Sequence, residues 1–228
     1  MNLPNAITAA RIAVAPLIAL LPLTPSPTAR LAAFVLYVTA AVTDYWDGHL
    51  ARTRNLVTDL GRLLDPLADK ALLVATLVPM YALQRGPLLD VSAGSTPSAG
   101  DLRFVTPLGA AGLPLWIVIV VLGRELFMTV FRQYAKRRGV VISAIGPAKW
   151  KTTFQSIWVG SAYAWFYALT LAEREAWVGR SPFYAFSLLN GIVGGLAMWG
   201  AVALTLYSLY LYLRRYGGLL RQPTAPLR

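Results

Sequence analysis

The sequence predicts an all-α, polytopic membrane protein with six transmembrane helices. The chain of 228 residues is 57% hydrophobic and only 14% charged, which is more apolar than a soluble domain of this length requires. Its apolar residues come in long blocks, and the sequence lacks the alternation over about ten residues that is typical of transmembrane β-strands. The formal net charge is +11, but the basic residues cluster at the ends of the apolar blocks. This distribution indicates contact with membrane lipids and argues against a nucleic-acid partner.

The six predicted helices follow from the lengths of the apolar blocks, which approach or exceed the roughly 20 residues needed to cross the hydrocarbon core. The first block contains Arg11 and Pro16, so its start is expected along the membrane interface. One long connection, residues 84–109, is rich in Gly, Pro and Ser and predicts a loop. We expect a single transmembrane domain over residues 1–215 and a short basic tail over residues 216–228. The blocks cover residues 7–23, 31–51, 64–83, 110–134, 151–172 and 184–213.

The loop charges predict the orientation. With both termini in the cytoplasm, most loop Lys and Arg residues lie on the cytoplasmic side, as the positive-inside rule requires, and the number of spans is even. The opposite side then holds only Arg30, Arg85, Arg103, Arg174 and Arg180. The expected location is the cytoplasmic membrane of a bacterium.

An acidic cluster interrupts two of the apolar segments. Half of the ten acidic residues lie between Asp44 and Asp69, although an intramembrane carboxylate costs about 2.5–3.5 kcal/mol unless it is paired, metal-bound or hydrated. If both segments are helical, Asp44 and Asp47 share one face, and so do Asp65 and Asp69. Pairing of the two helices would then bring four carboxylates together near the cytoplasmic surface.

The chemistry of this cluster indicates a divalent-metal site. The chain has no cysteine, and four carboxylates can hold two Mg²⁺ or Mn²⁺ ions roughly 3.5–4 Å apart, as in two-metal phosphoryl-transfer sites. Gly48 and Ala51 leave space for a ligand on the same face, and the guanidinium fork of Arg52 suits phosphate oxygens. A phosphate-ester or pyrophosphate substrate is therefore expected. The alternative is that the aspartates form structural ion pairs, for which the candidates are Arg11, Arg52, Arg62 and Lys70.

The spacing of these residues carries a family resemblance. The string Asp44-x2-Asp47-Gly48-x2-Ala51-Arg52-x8-Gly61-x3-Asp65-x3-Asp69 resembles the signature of the CDP-alcohol phosphatidyltransferases at every fixed position. The resemblance implies a six-helix membrane enzyme, usually a homodimer, that attacks a CDP-linked lipid with an alcohol hydroxyl and releases CMP. It also implies roles for individual residues. The four aspartates would bind two divalent cations, and Asp69 would in addition be the catalytic base. The implied contacts to the CDP-lipid are Asp44, Gly48, Ala51, Arg52, Thr58 and Gly61.

Three further segments resemble the branch of that family that joins CDP-diacylglycerol to glycerol 3-phosphate. They are Leu3-Pro4-Asn5-Ala-Ile-Thr8-Ala-Ala-Arg11-Ile12, Arg124-Glu125 with Arg132, and Lys149-Trp-Lys151-Thr152-Thr-Phe-Gln155. Pro147-Ala148 departs from the pattern, because a glycine is expected before Lys149. Since this acceptor is an anion, the resemblance implies a basic acceptor pocket, with candidates Arg124, Arg132, Lys149, Lys151 and Arg11.

Other functions remain open from the sequence. The signature reports the shared donor half, so inositol phosphate, serine or phosphatidylglycerol could replace glycerol 3-phosphate as the acceptor. Inositol phosphate would also need a basic pocket, which makes it the harder rival to exclude. A cation transporter would distribute its acids through several helices at mid-membrane depth. Outside the one helix pair, however, the only acid in an apolar block is Glu125.

Overall fold

The structure is a computed structural model, which describes residues 3–53, 59–93, 97–98, 100–140, 142 and 146–218. Within these ranges, the side chains of residues 3–4, 45, 47–53, 59–60, 62–63 and 147–149 lie outside the description. The chain is mostly α-helical, as predicted. Its long helices are α1 (Leu3–Leu20), α2 (Pro27–Thr53), α3 (Asp59–Gln84), α4 (Leu115–Arg137), α5 (Gly146–Arg174) and α6 (Ser181–Tyr216).

Three of these helices have the length and apolar composition to cross a membrane, among the residues that the structure describes. The corresponding segments are Asn5–Leu23, Leu64–Gln84 and Ser181–Tyr216. The first begins two residues before the predicted block, because α1 already includes Asn5. Pro16 lies inside α1, and Pro66 and Pro79 lie inside α3.

The helices pack into one bundle. Helix α1 packs on α2 and α3, α5 packs on α2 and α6, and α4 packs on α3 and α6. Large side chains such as Leu77, Trp158 and Phe166 are fully buried between them. The hydroxyl of Tyr163 donates to the carbonyl oxygen of Ile18 at 3.1 Å, which ties α5 to α1 through a satisfied polar group.

Arg30 is a buried structural residue. From the sequence, it was expected only as one of the loop charges on the side opposite the cytoplasm. Its Nε donates to the carbonyl oxygen of Pro22 at 3.1 Å, and its Nη1 donates to the hydroxyl of Thr170. Burial lowers the pKa of Arg30, and Glu173 opposes that shift. Arg30 therefore joins the α1–α2 connection to α5.

The connection predicted as a loop over residues 84–109 contains a β-hairpin at its end. Strand β1 (Phe104–Thr106) pairs antiparallel with β2 (Gly109–Ala111). Gly109 has φ +123°, and a Cβ atom there would lie 2.4 Å from the carbonyl oxygen of Asp90, so this position requires glycine. The predicted start of the fourth helix at residue 110 was wrong. The small apolar residues of β2 look like the beginning of the apolar block, whereas α4 begins after Pro114.

Two glycines of α6 leave the space in which the hairpin packs against this helix. A Cβ atom at Gly191 would lie 1.8 Å from the carbonyl oxygen of Val105, and one at Gly194 would lie 2.5 Å from the ring of Phe104. On the other side, Trp165 Nε1 of α5 donates to the carbonyl oxygen of Arg103 at 3.0 Å. The hairpin is thus packed between α5 and α6 and is part of the folded core.

Two ion pairs lie at the base of the hairpin, and we call the three residues that form them, Asp90, Asp101 and Arg103, the hairpin clasp. Arg103 contacts Asp90 at 3.1 Å and Asp101 at 2.6 Å. Hydrogen bonds from Ser92 and then from Arg103 hold the pKa of Asp90 below its ordinary value. Burial raises the pKa of Asp101, but hydrogen bonds from the side chain and backbone of Arg103 outweigh it and lower that pKa.

Both lowered pKa values predict a hairpin that loosens in acid. A carboxylate with a lowered pKa in the folded state stabilises the protein above its ordinary pKa, and this stabilisation is lost as the pH falls below about 4. Asp101→Asn should produce a similar loosening at neutral pH and cost about 1.5–3 kcal/mol, the contribution of hydrogen bonds to a charged group. Amide hydrogen exchange of residues 104–111 measures this effect. Glu175→Gln, an exposed change near the end of α5, is the control, and unchanged protection in the Asp101 variant would contradict the prediction.

Candidate functional site

Five helices each contribute one charged side chain to a single cavity of about 170 Å³. These residues are Arg11 of α1, Asp44 of α2, Asp69 of α3, Glu125 of α4 and Lys151 of α5. The remaining wall is a mixture of polar and aliphatic side chains. The cavity therefore brings together residues from both halves of the site that the sequence predicts, the acidic cluster and the basic pocket.

Helix α1 supplies the polar partners of the acidic cluster. Arg11 is only 4% exposed; its guanidinium forms an ion pair with Asp44, and its Nη1 lies 3.6 Å from Oδ1 of Asp69. One turn earlier on the same face, the hydroxyl of Thr8 donates to Oδ1 of Asp65 at 3.0 Å. Asp44, Asp65 and Asp69 thus gather around α1. The side chain of Asp47, the fourth predicted aspartate, lies outside the described residues.

The ion pairs of Arg11 are part of the alternative explanation that the sequence left open. They do not exclude a metal site, because one guanidinium carries a single positive charge while Asp44, Asp65 and Asp69 together carry three negative charges when ionised. Lys70, another candidate partner, donates to the carbonyl oxygen of Pro66 at 3.2 Å.

The acidic residues fit divalent cations in their chemistry. Among the side chains that the structure describes, no three carboxylates converge as a metal-binding group. However, the guanidinium of Arg11 bridges Asp44 and Asp69, so carboxylates from α2 and α3 already share a cation from a third helix. Both carboxylates keep solvent access, at 46% and 64% exposure. Carboxylate oxygens are the ligands that Mg²⁺ and Mn²⁺ prefer.

The basic part of the cavity is a buried network centred on Glu125. Its Oε1 accepts a hydrogen bond from Nη1 of Arg124 at 2.7 Å and one from the ammonium group of Lys151. Nη2 of Arg124 also donates to the hydroxyl of Ser208 on α6 at 2.9 Å. Arg124 and Lys151 are each only 6% exposed. Two buried cations from α4 and α5 are therefore held together by one carboxylate.

The other predicted acceptor residues are less close to this network. Arg132 is exposed and points to Tyr212, with its Nη2 3.4 Å from the hydroxyl and its guanidinium 5.8 Å from the ring centroid. The side chain of Lys149 lies outside the described residues. The side chains of Ala51 and Arg52 also lie outside the described residues, and of Gly48 only the helical backbone is described. Thr58 lies outside the described residues altogether. Gly61 is buried on α3.

Several cavity residues were not singled out from the sequence. Glu125 was named in the Arg124-Glu125 segment but was given no role in the site, although a carboxylate in an apolar block is itself a signal for a site. Tyr37 lies seven residues before Asp44, and Thr76 lies seven residues after Asp69. Seven residues is close to two helical turns, so the same-face spacing could have identified both.

An apolar groove adjoins the cavity. It has a volume of about 600 Å³, lies between α2 and α5, and shares Tyr37, Asp44 and Ser156 with the cavity wall. Exposed apolar side chains line it, among them Val42 and Trp46. The groove thus leads from the apolar surface of the bundle directly to a carboxylate of the acidic cluster.

Comparison with known proteins identifies relatives over most of the chain. Residues 1–207 match the family model described as CDP-alcohol phosphatidyltransferase. A CDP-diacylglycerol–glycerol-3-phosphate 3-phosphatidyltransferase of Bacillus subtilis is 33% identical over 219 residues, which are 91% of each chain. The CDP-diacylglycerol–glycerol-3-phosphate 3-phosphatidyltransferase 2 of Arabidopsis thaliana is 28% identical to this chain. The match covers 94% of this chain and 79% of the Arabidopsis protein. A probable phosphatidylglycerophosphate synthase of Mycobacterium tuberculosis is 32% identical over 70% of this chain and 64% of its own.

Proposed function

Because this chain belongs to the CDP-alcohol phosphatidyltransferase family, we propose that it transfers the phosphatidyl group of CDP-diacylglycerol to glycerol 3-phosphate and releases CMP. Membership of the family makes it a transferase of phospholipid biosynthesis. The observation that carries the proposal is the single cavity in which carboxylates of α2 and α3 lie with the buried cation Lys151 of α5 and its partner Glu125 of α4. The names of relatives from three organisms favour glycerol 3-phosphate as the acceptor.

The carboxylates form the donor half of the proposed site. Asp44, Asp47, Asp65 and Asp69 would hold two divalent cations, Mg²⁺ or Mn²⁺. Bound there, the cations would neutralise the charge that develops on the pyrophosphate and on the departing CMP. Within this half, Arg11 fixes the relative positions of Asp44 and Asp69, because it contacts both.

Asp69 is the proposed general base. It accepts the proton of the glycerol 1-hydroxyl while the oxygen of that hydroxyl forms a bond to the phosphorus of the phosphatidyl group. The bond between this phosphorus and the oxygen that bridges to CMP breaks, and CMP leaves with the bonding electrons. Asp69 suits this role because it lines the cavity and is 64% exposed, which leaves an oxygen accessible to the acceptor.

The lipid part of the donor fits the apolar groove between α2 and α5. Its acyl chains would lie against Val42 and Trp46, and its pyrophosphate would reach Asp44 at the junction of groove and cavity. The proposed contacts to the CDP group are Gly48, Ala51, Arg52, Thr58 and Gly61. This arrangement would let the lipid enter from the membrane while the small acceptor enters from water.

The acceptor phosphate is assigned to Lys151, a buried cation that lines the cavity, and to Arg124, which is buried beside it and shares its partner Glu125. Lys149 and Arg132 remain further candidates, and Arg11 could reach the acceptor from the acidic side.

We further propose that the chain spans the membrane six times and forms a homodimer. The membrane would be the cytoplasmic membrane of a bacterium, with the active site and both termini on the cytoplasmic side.

The proposal is tested by following CMP release from purified protein. CDP-diacylglycerol and Mg²⁺ or Mn²⁺ are supplied with glycerol 3-phosphate, inositol phosphate, serine or phosphatidylglycerol in turn. Of the four acceptors, we expect only glycerol 3-phosphate to cause release of CMP. Faster release with inositol phosphate would overturn the choice of acceptor, and no release with any acceptor would overturn the proposed function.

Removing the charge of Lys151 should weaken acceptor binding selectively. Lys151→Met deletes a charge-assisted hydrogen bond to the phosphate, and the loss of about 1.5–3 kcal/mol corresponds to an acceptor KM raised about 10–100-fold. The KM for CDP-diacylglycerol should change little. Steady-state kinetics with each substrate varied in turn measure both values. Lys136→Met, an exposed change near the end of α4, is the matched control, and an equal rise in both KM values would count against the assignment.

A further inference from the structure

Glu125 has no part in the proposed chemistry, yet it occupies the centre of the basic network. A single oxygen, Oε1, accepts hydrogen bonds from both Arg124 and Lys151. The carboxylate itself lines the cavity and is 26% exposed, while both cations are almost fully buried. A lone buried cation is costly, so the two basic side chains need a resident anion when no substrate is bound.

The two cations differ in how strongly their side chains are fixed in position. Arg124 is anchored twice, because it also donates to Ser208 of α6 at 2.9 Å. Lys151 has a flexible four-carbon stem and can move its ammonium group between two acceptors, whereas the guanidinium of Arg124 has a planar donor geometry. Lys151 is therefore the cation that can leave Glu125 with little rearrangement of the helices.

We propose that Glu125 is an internal counter-anion of the acceptor site, which holds Lys151 and Arg124 in place in the free enzyme and releases Lys151 to the acceptor phosphate. This inference rests on the proposed function. Glu125 is a positioning residue, since it acts through the two cations. It also contributes to specificity, because only an acceptor that carries a strong negative charge can compete with a carboxylate for Lys151. A phosphate dianion meets this condition, whereas an acceptor with a single carboxylate, such as serine, competes on equal terms at best.

Glu125→Gln tests the proposal, because it keeps the size of the side chain and a carbonyl oxygen while removing the charge. Without the competing anion, the Kd and the KM for glycerol 3-phosphate should fall on the order of tenfold, since one nearby charge is removed from a shielded site. Inorganic phosphate should become a stronger competitive inhibitor by a similar factor. The KM for CDP-diacylglycerol should stay within about twofold of the wild-type value, a change below 0.5 kcal/mol.

Two control variants separate this role from a purely structural one. Glu125→Asp keeps the charge and should bind phosphate more like the wild type than like Glu125→Gln. Glu175→Gln, an exposed change beyond the end of α5, should leave both substrates unaffected. Weaker or unchanged acceptor binding in Glu125→Gln, or an equal change for both substrates, would overturn the proposal.

A measurement on the wild-type protein keeps the test decisive if Glu125→Gln does not fold. Infrared difference spectra with ¹³C-labelled glutamate report on Glu125, because the other two glutamates lie away from the cavity, Glu173 in the last turn of α5 and Glu175 just beyond it. Addition of glycerol 3-phosphate should shift the labelled carboxylate band as Lys151 leaves, and no shift would refute the exchange. Binding and spectra need no turnover, so a protein that releases no CMP would end the proposed function while the role of Glu125 could still be judged.

Discussion

Asp69→Asn is expected to lower the rate of phosphatidyl transfer by about 10³-fold or more. The substitution removes the carboxylate that we propose as the acceptor of the hydroxyl proton, and general-base catalysis alone contributes roughly 10²–10⁴-fold. It also removes one negative charge from the proposed cation ligands. Asparagine has nearly the same shape, so the ion pair of Arg11 with Asp44 should keep α1 and α2 in place.

Turnover and nucleotide binding need to be measured on the same preparation of this variant. CMP release gives the rate, and titration calorimetry with CDP gives the affinity, which should remain within about tenfold, or 1.4 kcal/mol, of the wild-type value. Asp90→Asn is the matched control, because Asp90 belongs to the hairpin clasp. Full activity in Asp69→Asn would refute its assignment as the base, and loss of CDP binding would restrict its role to the cation site.

Arg11→Met is expected to make the stability of the protein depend on divalent cations. Arg11 is 4% exposed and contacts two carboxylates, so its removal leaves Asp44 and Asp69 without their shared cation. Breaking a fully buried pair costs about 3–5 kcal/mol, but these carboxylates are half exposed, and we expect about 1–3 kcal/mol. Mn²⁺ can replace the lost charge and should restore the stability.

Thermal unfolding in detergent, with chelator and with Mn²⁺, measures this prediction. The Tm of Arg11→Met should fall below that of the wild type in chelator, and Mn²⁺ should raise it more than it raises the wild-type Tm. Arg85→Met, an exposed change directly after α3, serves as the control. Equal shifts with Mn²⁺ in variant and wild type would contradict the replacement of the Arg11 charge by the cation, and no shift in either protein would contradict a cation site at these carboxylates. A rise in acceptor KM would additionally place Arg11 in the acceptor pocket.

The acidic cluster proposed as the donor half of the site could be named from the sequence because its information is local. Asp44 and Asp47 lie three residues apart and Asp65 and Asp69 four apart, and helical periodicity alone places each pair on one face. The family match confirms the resemblance that this spacing carries. Thr8 and Arg11 show where local information ends, because their partners lie on α2 and α3, distant in sequence.

The loop and the basic pocket show the same limit. The hairpin exists because Gly191 and Gly194 of α6 leave room for Val105 and Phe104, a fit between segments far apart in the chain. Arg124 and Arg132 lie on the same helix about two turns apart, and both guanidinium groups lie near the ring of Tyr212. Arg124, however, is buried and donates to Glu125 and Ser208, whereas Arg132 is exposed. Spacing within α4 cannot distinguish these two environments, since the packing of α6 on α4 sets the burial of each side chain.

The sequence by itself determined the helical class of this protein and its family, and it named the residues proposed for the donor chemistry, because composition, periodicity and a spaced signature are properties of neighbouring residues. Only the tertiary structure decided which faces meet. It placed Arg11 among the carboxylates, buried Arg30 against α5 and made Glu125 the partner of two cations. The physical reason is that helix packing follows the shape and burial of whole surfaces, and a charge inside such a packing contact takes whichever partner the neighbouring helix presents.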